Sequence, residues 1–226
     1  MTTRTDAQNP PRAGGNLRER AATQSRSAGA PAGGDLLDAW EAIATARFAE
    51  AEHNFRSLAA DVAQVIAATR MLHACLQRGN KVMFCGNGGS AADAQHLSTE
   101  LMGRFLRDRR PLPSVALTVD TSALTAIGND YGFEHVFSRQ VRGIGVAGDV
   151  LVGISTSGNS RNVVAAFEAA TQMGIGTVAL VGRDGGLLEH MADAAVCAPS
   201  SSTPRVQELH IAIGQTMCEL LEDALT

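Results

Sequence analysis

Aromatic residues make up only 4% of this 226-residue chain, against 45% hydrophobic residues overall, so a core must be built mainly from Ala, Val, Leu and Ile. Cysteine is sparse too. Cys75, Cys85, Cys197 and Cys218 form no CxxC pair and lie in apolar contexts, which argues against a disulfide framework or a cysteine metal knuckle. No run of about 18 apolar residues exists, so no membrane helix is expected. The N-terminus has no apolar h-region of a secretory signal, and a cytoplasmic protein is expected. The formal net charge is −4, so nothing suggests a basic nucleic-acid surface across the folded part. Only residues 1–34 are locally basic, with Arg4, Arg12, Arg18, Arg20 and Arg26 against Asp6 and Glu19. That segment is rich in Gly, Pro, Ala and Ser without apolar period and reads as a disordered tail.

What is present has a clear order. Leu36, Leu37, Trp40, Ile43 and Ala44 recur at helical spacing, as do Leu58, Val62, Val65, Ile66, Met71, Leu72 and Cys75. Two helices are predicted between Asp35 and Arg78. Five short apolar runs follow, at 81–85, 114–118, 149–154, 177–181 and 194–198. Helical patterns separate several of them: Ala91 to about Arg107, Arg161–Met173 and Thr203–Leu225. Strand–loop–helix repeats imply an α/β fold, a parallel five-stranded sheet flanked by helices with an N-terminal helical extension. Length allows one such domain, over 35–226.

Ligands of parallel sheets gather outside the carboxyl ends of the strands, and two polar loops fall there. The first is Gly86-Asn87-Gly88-Gly89-Ser90. Its glycines allow close backbone approach, and Ser90 with the helix-start N–H groups suits an anion or a simple N-cap. It matches neither GxGxxG nor a Walker A loop, which disfavours a nucleotide. The second is Ser155-Thr156-Ser157-Gly158-Asn159-Ser160. Capping needs one hydroxyl; four of them make a neutral phosphate cradle suited to a small sugar phosphate.

His96 and Glu100 stand at i, i+4 on the helix after the first loop and share one face, as a metal pair, a base or an ordinary helix contact. Gln207, Glu208, His210 and Gln215 are polar residues on the otherwise apolar last helix. Asn129-Asp130 precedes Tyr131-Gly132 and could be a mere turn.

The blocks CGNGGSAADAQHLSTELMGRF, LTAIGNDYGFEHVFSRQV, GDVLVGISTSGNSRNV and TPRVQELHIAIG together resemble the SIS-domain phosphoheptose isomerases from about Asp35 to the C-terminus. The resemblance implies a SIS, flavodoxin-like sandwich and an aldose–ketose isomerase that converts sedoheptulose 7-phosphate to D-glycero-D-manno-heptose 7-phosphate for cell-surface glycans. It implies a homotetramer with sites at subunit interfaces, and zinc. By resemblance Ser155, Thr156, Ser157 and Ser160 hold the phosphate, while Asn87, Gly88, Gly89, Ser90, Asn129 and Asp130 line the sugar site. Gln207 binds substrate, His96, Glu100 and Gln207 match metal positions, and Glu100 is the catalytic base. The family carries a second histidine where this chain has Gln215, which weakens the zinc expectation and removes an acid/base group. His210 could substitute for it or be structural. A non-catalytic SIS protein of the DiaA type, bound to a replication-initiator partner, and a sugar-phosphate sensor are the alternative readings.

Overall fold

In a computed structural model the described residues are 33–226, and all but the last two residues of the tail at 1–34 lie outside them. Close contacts divide the chain at Thr45–Ala46, inside the first helix. That helix, α1, spans Gly33–Ala60, and the remaining elements belong to the unit Ala46–Thr226. In order these are α2 (Ala63–Gln77), β1 (Val82–Gly86), α3 (Gly89–Met102), β2 (Ser114–Ala116), α4 (Thr121–Tyr131) and α5 (Val136–Ile144). Then come β3 (Val150–Ser155), α6 (Arg161–Gln172), β4 (Gly176–Val181), α7 (Gly186–Met191), β5 (Ala194–Cys197) and α8 (Thr203–Leu225).

The five strands form one parallel sheet in the order β2-β1-β3-β4-β5. Strand residues alternate between two apolar layers, as the pleat requires. Val82, Phe84, Val152, Ile154 and Leu180 face a core closed by α2, α3 and α8. Met83, Cys85, Leu151, Ala179 and Val181 face a second core, which Phe137 and Val141 of α5 and Val163 and Phe167 of α6 fill. Burial on both faces explains why the strands read as continuous apolar runs.

The five strands and the helices expected from the sequence are present, α5 and α7 are additional to them, and three further details differ. The third helix stops at Met102 rather than near Arg107. Residues 105–107 instead give their backbone N–H groups to the Glu222 carboxylate at 2.8–3.0 Å. The segment 121–131 is a full helix, so Asn129 and Asp130 lie in its last turn, not in an isolated turn. The apolar stripe of α1 is helical as expected, yet Leu37, Trp40 and Ile43 are exposed.

Two buried carboxylates hold irregular segments. Asp149 accepts from Lys81 Nζ at 2.5 Å and from the N–H groups of Lys81 and Val146 at 3.0 and 2.8 Å. Beside its three N–H donors Glu222 has the Arg109 guanidinium as an ion-pair partner, Nε lying 3.1 Å from Oε1. Arg109 in turn caps α3 by donating to the carbonyls of Glu100 and Leu101 at 2.7 and 3.0 Å. Burial alone would raise both acids, but these donors outweigh it and hold both below the ordinary carboxylate range.

Glu222→Ala leaves Arg109 buried without its partner and is expected to cost about 3–5 kcal/mol in denaturant unfolding. Both folded-state acids titrate below their unfolded values, so the stability they supply is complete above about pH 5 and declines as pH falls through the folded values. Acid unfolding followed by circular dichroism should show this decline, with a shallower slope in Glu222→Ala.

Candidate active site

The chain leaves β1 toward β2 on one side and β3 toward β4 on the other, so a crevice opens between the carboxyl ends of β1 and β3. Both glycine-containing loops stand at it. They are joined by a reciprocal amide pair: Asn87 Nδ2 donates to Asn162 Oδ1 at 2.9 Å, and Asn162 Nδ2 donates to Asn87 Oδ1 at 2.8 Å. Asn162 is 3% exposed. Its role was not read from the sequence, although its place two residues after the hydroxyl loop was the available signal.

Within the second loop Ser155 Oγ and Ser160 Oγ are 2.9 Å apart. Ser155 is buried at the strand end, Thr156 and Ser160 are half-buried, and Ser157 is exposed. Ser157 Oγ accepts from Asn159 N at 3.2 Å. Gly158 has φ +65, and a methyl group there would overlap the Gly185 carbonyl oxygen. Only glycine satisfies both conditions. The Gly185-Gly186 turn braces the loop: Leu188 N donates to Gly158 O at 3.0 Å and Leu187 N to Asn159 Oδ1 at 3.1 Å. The hydroxyls are thus held by backbone, with the start of α6 behind them.

In the first loop Ser90 N donates to Asn87 O at 3.0 Å, closing the turn, and Gly88 and Gly89 are exposed. Ser90 is 3% exposed, so it lies beneath the loop rather than on its open side. The Gln207 side chain lies against Gly89, where any Cβ would collide with its amide.

Helices α3 and α8 run side by side from there. Gly89 meets Gln207, Leu97 packs where Gly214 has no side chain, and His96 meets Gln215. His96 Nε2 lies 3.0 Å from Glu100 Oε1 and 3.4 Å from Gln215 Nε2. A single ring nitrogen cannot donate to Glu100 and accept from Gln215 at once. With its hydrogen directed at Glu100, the Gln215 end that suits it is the amide oxygen. Where a cation takes the place of that hydrogen, Nε2 would give it a lone pair beside a Glu100 carboxylate oxygen and the oxygen of a turned Gln215 amide. That set fits a divalent cation, with a neutral amide in place of a stronger ligand. Among the described residues, no group of three His, Cys, Asp or Glu side chains is placed to hold a metal. Gln207 stands about 12 Å along the α8 axis from Gln215, at the loop end of the helix.

His210 is 0% exposed, with Nε2 3.0 Å from Val181 O. Burial pushes its pKa down, with that carbonyl opposing, and its place in the core keeps it away from the cluster as an acid/base. Asp93, half-buried one turn before His96, is held above the ordinary carboxylate range by burial, with His96 opposing. Asn129 and Asp130 are exposed and bond each other, Asn129 Nδ2 donating to Asp130 Oδ1 at 2.8 Å. They do not hydrogen-bond the two loops. All four cysteines are free, and the three in the core have thiols raised by burial, Cys75 to about 11 and Cys218 to about 12.

The hydroxyl loop, the amide-tied glycine loop and the carboxylate–imidazole pair thus stand on one α/β sheet. The SIS domain pattern matches residues 48–182. The phosphoheptose isomerase of Akkermansia muciniphila is 54% identical over 75% of this chain and 89% of its own. That of Rhodospirillum rubrum is 56% identical over 73% and 88%. The solved phosphoheptose isomerase of Neisseria gonorrhoeae superposes with TM-score 0.77 at 46% identity, covering 81% of this chain and 99% of that one. The chain therefore belongs to the SIS domain family and, within it, to the phosphoheptose isomerases.

Asn162→Asp replaces one donor of the amide pair by a buried anion and is expected to lower stability by about 2–4 kcal/mol, with a looser sugar-phosphate site. Asn162→Ala should fall between it and wild type. Thermal melts and ligand titration check the order.

Proposed function

We propose that the chain is a sugar-phosphate isomerase that interconverts sedoheptulose 7-phosphate and D-glycero-D-manno-heptose 7-phosphate in the cytoplasm. The observation that carries this reading is that the glycine loop, tied to the hydroxyl loop through Asn87 and Asn162, opens the helix that carries His96 and Glu100. Seven residues of helix put about 10 Å between Gly89 and His96. That is roughly the reach of an open-chain seven-carbon phosphate built from bonds of about 1.5 Å. Ser155, Thr156, Ser157 and Ser160 take the phosphate. Asn87, Gly88, Gly89 and Gln207 line the path of the chain, with Ser90 supporting the loop and Asn129 and Asp130 reached from a neighbouring copy.

The reaction moves a proton between C1 and C2. The Glu100 carboxylate takes the C1 proton, the electrons move toward the carbonyl at C2 to give an enediolate, and Glu100 returns the proton to C2 as the C1 oxygen becomes the aldehyde. Charge on the oxygens needs donors nearby, and His96 and the Gln215 amide can supply them. Gln215 cannot exchange a proton near neutral pH, so transfer between the two oxygens is the step this chain performs least well. The resident metal in this reading is zinc, held by His96 and Glu100 with a glutamine amide, Gln207 or Gln215. It would polarise the oxygens of the sugar.

A homotetramer completes the reading. In the unit 46–226 a groove of about 440 Å³ between the end of α1, α2 and α8 is lined by Phe55, Leu58, Val62, Ile66, Ile213 and Leu220, and exposed apolar surface of this kind supports association. No described helix is long and apolar enough to cross a membrane.

Glu100→Gln is expected to lower turnover of sedoheptulose 7-phosphate by about 10²–10⁴-fold in a coupled assay. Gln215→His should raise turnover at least about tenfold and tighten zinc by a similar factor in equilibrium dialysis, since second-site changes around a metal carry about that weight. Absence of turnover in both wild type and Gln215→His would sink the isomerase reading and favour a non-catalytic SIS protein. His96→Ala should abolish zinc retention.

A further inference from the structure

The hydroxyl loop presents no formal positive charge, although a phosphate monoester carries close to two negative ones. The chain's single lysine, Lys81, is spent on Asp149 at the other end of the sheet. A cation does stand beside the loop. A cavity of about 310 Å³ is lined by Thr156, Ser157 and Asn159 of the loop, by Arg183 and Asp184 of the turn after β4, and by Thr203 at the start of α8.

Arg183 is held there by its neighbours. Gly182 N donates to Thr156 O at 3.2 Å, which couples the turn to the loop. Arg183 N donates to Ser200 O at 3.0 Å, and Arg183 Nη2 donates to Pro199 O at 2.7 Å. The same turn continues into Gly185 and Gly186, which brace Gly158 from below. One guanidinium nitrogen is therefore anchored. Guanidinium has five N–H donors in a planar fork, so the rest can engage a tetrahedral oxyanion.

We propose that Arg183 is a substrate-binding residue that pairs with the phosphate end of the ligand and supplies the charge the serine–threonine loop lacks. This rests on the sugar-phosphate reading of the site. Asp184 lines the same cavity, and no ion pair joins it to Arg183 among the described residues. Its carboxylate opposes the phosphate, so the two side chains act with opposite signs. Arg183 sets the affinity, and Asp184 keeps the cavity from holding a free anion tightly.

The test uses the full chain with sedoheptulose 7-phosphate as substrate and inorganic phosphate as competitor. Arg183→Ala should raise KM and the phosphate Ki together by about 10- to 100-fold while kcat moves far less, the pattern for lost uniform binding to a charged group. Arg183→Lys should recover part of the loss, because it keeps the charge but not the fork. Asp184→Asn should lower the phosphate Ki. The Arg183→Ala effect should shrink at about 1 M salt, since the guanidinium is exposed. Arg183 lies on the surface, so the melting temperatures should match wild type. KM and Ki within about twofold of wild type in Arg183→Ala would overturn the inference while leaving the isomerase reading intact. A wild-type chain that neither turns over nor binds the sugar phosphate overturns both.

Discussion

The site depends on two side-chain amides that face each other across the gap between β1 and β3. Asn87 and Asn162 come from different loops, and each both donates and accepts. An amide pair of this kind has no spare charge and a fixed plane, so it sets the separation of the loops as well as joining them. Parallel strands alone would leave the two turns free to splay, because the hydrogen-bond ladder ends at Gly86 and Ile154. With the loops tied, the backbone N–H groups and hydroxyls of both face one crevice.

The second dimension of the site comes from a helix pair. Gly214 lets Leu97 approach α8 closely, and that contact lies between two functional ones: Gln207 against Gly89 and Gln215 against His96. Two rigid rods in contact convert the spacing of residues along the chain into a length in space. The distance from the glycine loop to the Glu100 carboxylate therefore follows from the rise of α3. The far end of this ruler is fixed as well. Arg109 holds the last carbonyls of α3, Glu222 holds Arg109, and Glu222 belongs to α8. Glu100 sits on the turn that this network secures.

Gln215 stands where the resemblance to the phosphoheptose isomerases implies a histidine. Its amide keeps contact with His96 and so preserves the shape of the cluster. What it loses is proton exchange, because an amide neither gains nor sheds a proton near neutral pH. Geometry and acid–base capacity are separable properties of a side chain, and this position keeps the first without the second. His210, one turn earlier and chemically able, is sealed in the core with its pKa pushed down.

The sequence by itself determined the five strands, the helices that separate most of them and the two polar loops at strand ends, because apolar runs and turn residues are local signals. It also singled out His96 and Glu100, since i, i+4 spacing is a property of one helix. It overran α3 by one turn, because what ends that helix is Gly103 together with a carboxylate more than a hundred residues away. Only the tertiary structure decided that Asn162 meets Asn87, that Gln215 meets His96, that Arg183 shares a cavity with Thr156, and that His210 is buried. Each of these joins residues from separate strand–helix units. Such contacts follow from strand order and helix packing, which a pattern of neighbours along the chain does not encode.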